Sequence, residues 1–154
     1  MTKLRTSEPW LPASEYAKKL SGLGINLLVS DIQKAILFHE KVLNIEVIYS
    51  DEDFAVLKGY GSEWMLHADH TYDDHPFLTQ ISLNQERGKG IELRLHGCDP
   101  DKARENAKRL GFSILAEVND KNHGLREVYI LDQDGYVWVP DIPISKKNSN
   151  VGGI

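Results

Sequence analysis

The sequence predicts an α+β chain built from two tandem β-α-β-β-β modules. Three observations carry this reading. An alternating strand, an amphipathic helix and three β-rich segments follow one another over residues 23–68, and the same order returns over 90–142. Short matches recur at nearly one offset: Lys34-Ala35 answers Lys102-Ala103, and Leu43-Asn44-Ile45 answers Leu110-Gly111-Phe112.

In the first module Ile25, Leu27 and Val29 alternate with Asn26, Leu28 and Ser30, the pattern of a strand with one strongly apolar face. Ser30 and Asp31 can then cap a helix. Ile32, Ala35, Ile36, Phe38, His39, Val42 and Leu43 recur at helical spacing, and Asn44 tolerates the left-handed backbone that stops it. Three strands are expected after that, at Glu46–Ser50, Phe54–Lys58 and Trp64–Ala68, parted by Asp51-Glu52-Asp53 and Gly59-Tyr60-Gly61.

The second module begins with Ile91, Leu93 and Leu95, which are expected to pack under the helices, while Glu92, Arg94 and His96 take the opposite face. Asp99-Pro100 starts a helix carrying Ala103, Ala107 and Leu110, and Gly111 ends it. Strands at Ser113–Val118, Arg126–Leu131 and Tyr136–Asp141 complete the repeat, with Asp132-Gln133-Asp134-Gly135 as the last turn.

Around this unit, residues 1–22 read as an N-terminal extension with a short helix near Pro12–Leu20, whose role is packing or dimer contact. Residues 69–89 read as a polar linker that holds a concentration of histidines, and 143–154 as a polar tail. The domain proper is expected to span 23–142. At 154 residues the chain suits a single domain with a real core.

A net charge of −5 with scattered basic residues argues against nucleic acid as a partner. No apolar run approaches a membrane span, and the first residues lack the apolar core of a secretory signal. One cysteine, Cys98, can form no intrachain disulfide, so the reducing cytoplasm is the expected location. Beside the Asp99-Pro100 helix start, Cys98 reads as a small buried residue, since no histidine is evident as its base. Gly88-Lys89-Gly90 lacks the context of a phosphate loop and implies no nucleotide cofactor.

Val29-Ser30-Asp31-Ile32 before Phe38-His39-Glu40-Lys41-Val42-Leu43-Asn44-Ile45 resembles the opening of the vicinal oxygen chelate superfamily of glyoxalases, bleomycin-resistance proteins and extradiol dioxygenases. Leu131-Asp132-Gln133-Asp134-Gly135-Tyr136 resembles its late Asp-Pro-Asp-Gly turn, with Gln133 in place of proline. The resemblance implies a curled, cup-shaped mixed sheet with helices outside, a homodimer, and a divalent metal held by the first and fourth strands of each module. Carried over, the four ligand positions fall at Gly24, His67, Glu92 and Val139. Gly24 and Val139 offer no side-chain donor, which leaves His67 and Glu92, with His70 as a displaced ligand in reserve.

The expected binding residues for a small molecule are Asn26, His67, Glu92, Arg94, His96 and Tyr129. Arg94 suits a carboxylate or phosphate, and Glu92 or His96 suits proton transfer if burial moves its pKa. The plainer reading of the same residues is an amphipathic strand with one wet face. Trp64 and Trp138 fall on the helix-facing parity and read as core. The cluster His67-Ala68-Asp69-His70-Thr71-Tyr72-Asp73-Asp74-His75 matches no zinc spacing and reads as a solvated loop.

These observations favour a small-molecule-binding protein of glyoxalase or bleomycin-resistance type with a metal-independent cup and no cofactor. Two alternatives stand beside it: a divalent-metal-dependent lyase or dioxygenase using His67 and Glu92, and a structural or regulatory partner protein.

Overall fold

The structure is a computed structural model that describes residues 1–81 and 86–145. Asp31 starts the first long helix by accepting a hydrogen bond from the Lys34 amide, one of the donors that a helix leaves unpaired at its N-terminus. Helix α2 (Ile32–Lys41) follows α1 (Ala13–Lys18) and β1 (Asn26–Val29). Asn44, at φ 56°, takes the left-handed backbone that turns the chain back into the sheet. Strands β2 (Glu46–Ser50), β3 (Phe54–Gly59) and β4 (Ser62–Ala68) complete the first module.

The second module repeats this order as β5 (Leu93–His96), α3 (Pro100–Arg109), β6 (Ile114–Asp120), β7 (Leu125–Leu131) and β8 (Val137–Pro143). Asp99 caps α3 through the amides of Asp101 and Lys102, with proline in the first turn. Each module is a four-stranded mixed sheet, in the orders β1-β4-β3-β2 and β5-β8-β7-β6. Its first and fourth strands pair in parallel, the helix crosses over from the first strand to the second, and the remaining pairs are antiparallel.

Helices α2 and α3 bury the apolar stripes that the periodicity marked, Ile32, Ala35, Ile36 and Phe38 on one and Ala103 and Ala107 on the other. They lie over the sheet faces carrying Leu27, Val29, Leu57, Leu66, Val128 and Ile130. Each such side chain, fully buried, contributes about 2 kcal/mol of transfer free energy. Trp64 and Trp138 belong to this core, as their parity required.

The two modules meet around His39. Its ring lies 4.9 Å from the Trp138 ring, edge to face, and 5.9 Å from that of Trp64. Phe38 meets Phe112 in the same way at 4.9 Å. Trp64 Nε1 donates to His39 Nε2 at 3.3 Å, so the proton sits on Nδ1 and is donated to the Ala35 carbonyl at 2.8 Å. A second junction is polar. The Ser30 hydroxyl donates to Asp134 at 2.7 Å, the Tyr136 hydroxyl to the Leu28 carbonyl at 2.8 Å, and the buried Arg87 forks onto Asp69 at 2.7 and 2.8 Å.

Some boundaries differ from the sequence reading. Strand β5 begins at Leu93, because Gly90 at φ 81° and a bond from the Ile91 amide to the Gly88 carbonyl hold Ile91 in a turn, where it is 57% exposed. The stretch read as a linker forms two 3-10 turns, Asp69–Tyr72 and Pro76–Gln80. Most of the expected tail, residues 146–154, lies outside the described residues.

Burial pushes the His39 pKa down to about 4, from an ordinary value near 6.5, although its bond to Ala35 works the other way. The unfolded chain therefore binds this proton more readily than the folded one, and stability falls as pH drops from 6.5 toward 4. Wild type should lose about 2.5 kcal/mol between pH 7 and pH 4.5 relative to His39→Gln, read from paired urea melts.

Candidate functional site

The helix-free face of each sheet carries the residues available for binding, and strand register says which they are. Asn26 pairs with Met65, and Leu28 and Phe54 both pair with His67. Paired residues point to the same face, so Asn26, Leu28, Phe54, Met65 and His67 share the open face of module one. In module two Arg94 pairs with Val139, and His96 and Glu127 both pair with Asp141. Glu92 and Tyr129 share that face.

Module one's open face is covered by the extension. The carboxylate of Asp53, 1% exposed at the head of β3, accepts from the Leu4 amide at 2.7 Å and the Arg5 amide at 3.4 Å. His70 Nε2 lies 2.8 Å from the same carboxylate, and the Arg5 guanidinium 3.6 Å. Burial works against the charge of Asp53, but the bonds from His70, Leu4 and Arg5 outweigh it and hold the carboxyl below its usual range. Further along, the Thr2 hydroxyl bonds Asp73, Trp10 stacks on Tyr49 at 4.8 Å, and the Tyr16 hydroxyl donates to Glu63 at 2.7 Å.

Between this strap and the sheet lies a cavity of about 380 Å³, within the range of small-molecule pockets. Trp10, Leu11, Tyr16 and Leu20 line it from the strap, and Phe54, Met65 and His67 from the sheet. The His67 ring lies nearly parallel to Phe54 at 6.1 Å and edge-on to Tyr72 at 5.7 Å. Burial lowers its pKa, so the imidazole is neutral near pH 7, with one donor and one acceptor.

Module two's face is a network of charges. Arg94 bonds Glu127, donates to Glu92 at 3.0 Å, and approaches Asp141 at 3.0 Å through a second nitrogen. Tyr129 donates to Glu92 at 2.5 Å, and His96 Nδ1 lies 2.7 Å from Asp141. Tyr129 and Arg94 together hold the Glu92 carboxyl below its usual range. All three guanidinium nitrogens are engaged, so an anionic ligand at Arg94 would have to displace a carboxylate.

The six expected binding residues are thus brought to open faces but not to one place. His67 lines the strap cavity, Asn26 borders a crevice between the modules with Ile25, Tyr136 and Val137, and Glu92 and Tyr129 border an open groove with Ile91 and Leu115. Arg94 and His96 belong to the charge network. Sequence reasoning missed Phe54 and Met65, which the parity of His67 would have found. It also missed Arg5, Trp10, Tyr16 and Asp53, whose contacts cross about a third of the chain.

Residues 23–139 match the family model of the Glyoxalase/Bleomycin resistance protein/Dioxygenase superfamily, and the chain belongs to that superfamily. Among solved structures, it is similar to a family enzyme from Burkholderia phytofirmans PsJN at 18% identity and TM-score 0.64, over 78% of this chain and 96% of that one. A glyoxalase-related enzyme from Fulvimarina pelagi matches at 14% identity and TM-score 0.64, over 82% and 94%. TioX from Micromonospora sp. ML1 matches at 18% identity and TM-score 0.57, over 81% and 98%. These structural likenesses show the fold. No curated protein matches the chain.

Members of this superfamily often bind a divalent metal, and the residues here do not fit one. Val139 has an aliphatic side chain and Gly24 has none, so neither offers a donor atom. Glu92 is bonded to Tyr129 and Arg94, while His67 lies in the other module's cavity. Among the described residues no group of three or more His, Cys, Asp or Glu side chains is arranged to hold an ion.

Asp53→Ala should free the strap, lowering stability by about 2 kcal/mol, since the Leu4 and Arg5 amides and His70 lose a charged acceptor. Tryptic cleavage after Arg5, Lys18 and Lys19 should accelerate at least about tenfold.

Proposed function

We propose that the chain is a small-molecule-binding protein whose ligand lies between the strap and the open face of module one, without a metal. The observation that carries this reading is the strap cavity itself, an apolar space with one neutral hydrogen-bonding ring, His67, set into its floor. Concave, largely apolar sites with few polar groups are how proteins hold small organic ligands. On this reading the chain is grouped, within the superfamily, with members that bind a ligand rather than with metal-dependent lyases or dioxygenases. The mismatched ligand positions support that placement.

The binding residues on this reading are His67, Phe54 and Met65 from the sheet, with Trp10 and Tyr16 from the strap. Asn26 lies nearby on the same face, and Glu92, Arg94, His96 and Tyr129 shape module two instead. His67 orients the ligand; no proton transfer is required of it.

A compound screen by thermal shift, on protein stripped with a chelator, tests the proposal. A ligand at a hundred times its Kd should stabilise the fold by about 2.7 kcal/mol, a rise of about 5 °C or more, unchanged when metal is restored. Calorimetry with manganese, nickel, zinc and ferrous iron should show no stoichiometric binding. Stoichiometric binding that His67→Ala abolishes would overturn the reading in favour of the metal-dependent enzyme.

A further inference from the structure

The strap cavity offers a ligand very little polarity, and what it offers is specific. The Asp53 carboxylate is already engaged by the Leu4 and Arg5 amides, by His70 and, as an ion pair at 3.6 Å, by the Arg5 guanidinium, while the Thr71 hydroxyl donates to Ala68 at 2.7 Å and the Tyr16 hydroxyl is committed to Glu63. Arg5 is drawn to Asp53 and lies over the Phe54 ring at 5.7 Å. Lys3 is exposed at the rim.

His67 differs from all of these. Its ring lies nearly parallel to Phe54 at 6.1 Å and edge-on to Tyr72 at 5.7 Å, and it makes no hydrogen bond to a described residue. A half-buried imidazole held this way is a single prepaid handle: it can donate one hydrogen bond and accept one, but brings no charge. Aromatic surface surrounds it, with Phe54 beside it and Trp10 and Tyr16 across the cavity, their rings 5.5 Å apart. Flat rings suit such walls, since offset and edge-to-face contacts add to area burial. A charged group placed beside His67 would lose its hydration where the cations of the lining are Arg5, already drawn to Asp53, and Lys3, exposed at the rim.

We infer that the cavity takes a flat aromatic molecule that is neutral where it is buried and carries one hydroxyl or carbonyl group for His67, with Trp10 of the strap closing over it. This inference rests on the metal-free pocket proposed above and names its ligand class. The strap then acts in selection as well as in enclosure. Trp10 is 39% exposed, reaches the cavity from the strap, and is held by its stack on Tyr49 and by the Asp53 latch upstream.

Three probes of one shape separate the contributions: 1-naphthol, naphthalene and 1-naphthoate, measured by calorimetry at pH 7 on the full chain. One net hydrogen bond makes 1-naphthol bind about three- to tenfold more tightly than naphthalene, and 1-naphthoate should be the weakest of the three. His67→Phe should bring the first two together, while His67→Gln, which keeps a donor and an acceptor, should preserve their order. Trp10→Ala should weaken both by a similar factor and leave their ratio intact, and Trp10→Phe should restore most of the loss.

Tightest binding by 1-naphthoate overturns the inference, as does a naphthol preference that survives in His67→Phe. Saturable binding by none of the probes also overturns it. In that case a hit of another chemistry in the broad screen would leave the metal-free pocket standing, whereas a silent screen would remove both.

Discussion

Asp53 sits at the head of β3, where the Ala68 amide donates to its carbonyl at 2.8 Å and Asp51 caps its own amide at 2.8 Å. Its backbone is therefore fixed by the sheet before its side chain does anything. A buried carboxylate in that position has to collect donors or lose its charge. It collects them from the strap at Leu4 and Arg5 and from His70 in the turn after β4. The charge thereby joins three segments of the chain, alongside the stack of Trp10 on Tyr49. The strap, the cavity below it and the enclosure of His67 all depend on that one demand.

The second module meets the same problem of buried charge differently. Glu127 and Asp141 are both nearly inaccessible, and Arg94 serves both while also holding Glu92. The guanidinium fork pairs with these carboxylates inside the module, with no partner among the described residues of the other one. One open face is thus covered by an extension of the chain, with a cavity beneath it. The other is tied up within itself. This asymmetry is absent from the backbone, where the two modules repeat strand for strand.

The repeat was legible in the sequence because its signals are local. The alternation of Leu27 and Val29, the Asp31 and Asp99 caps, and the stops at Asn44 and Gly111 each act within a few residues. The core parity of Trp64 and Trp138 followed from the same register. His67 and Glu92 were reached by resemblance, and both do face the open sides of their sheets. The pairing imagined for them was not visible to a local argument, since Glu92 is engaged by Tyr129 and Arg94. The strap was least legible of all. Leu4 meets Asp53 across 49 positions and Tyr16 meets Glu63 across 47, and nothing in the spacing of residues 1–22 encodes either contact. Ile91 shows the opposite failure, a local alternation overridden by the Gly88–Gly90 turn.

The account stands on the location of the ligand, in module one beneath the strap rather than on the charged face of module two. Hydrogen exchange at saturating ligand measures that directly. Slowed exchange confined to residues 1–20, β3 and β4, with β5, β7 and β8 unchanged, is the result the account predicts. Protection centred on β5, β7 and β8, with the strap exchanging as fast as in the free protein, would contradict it.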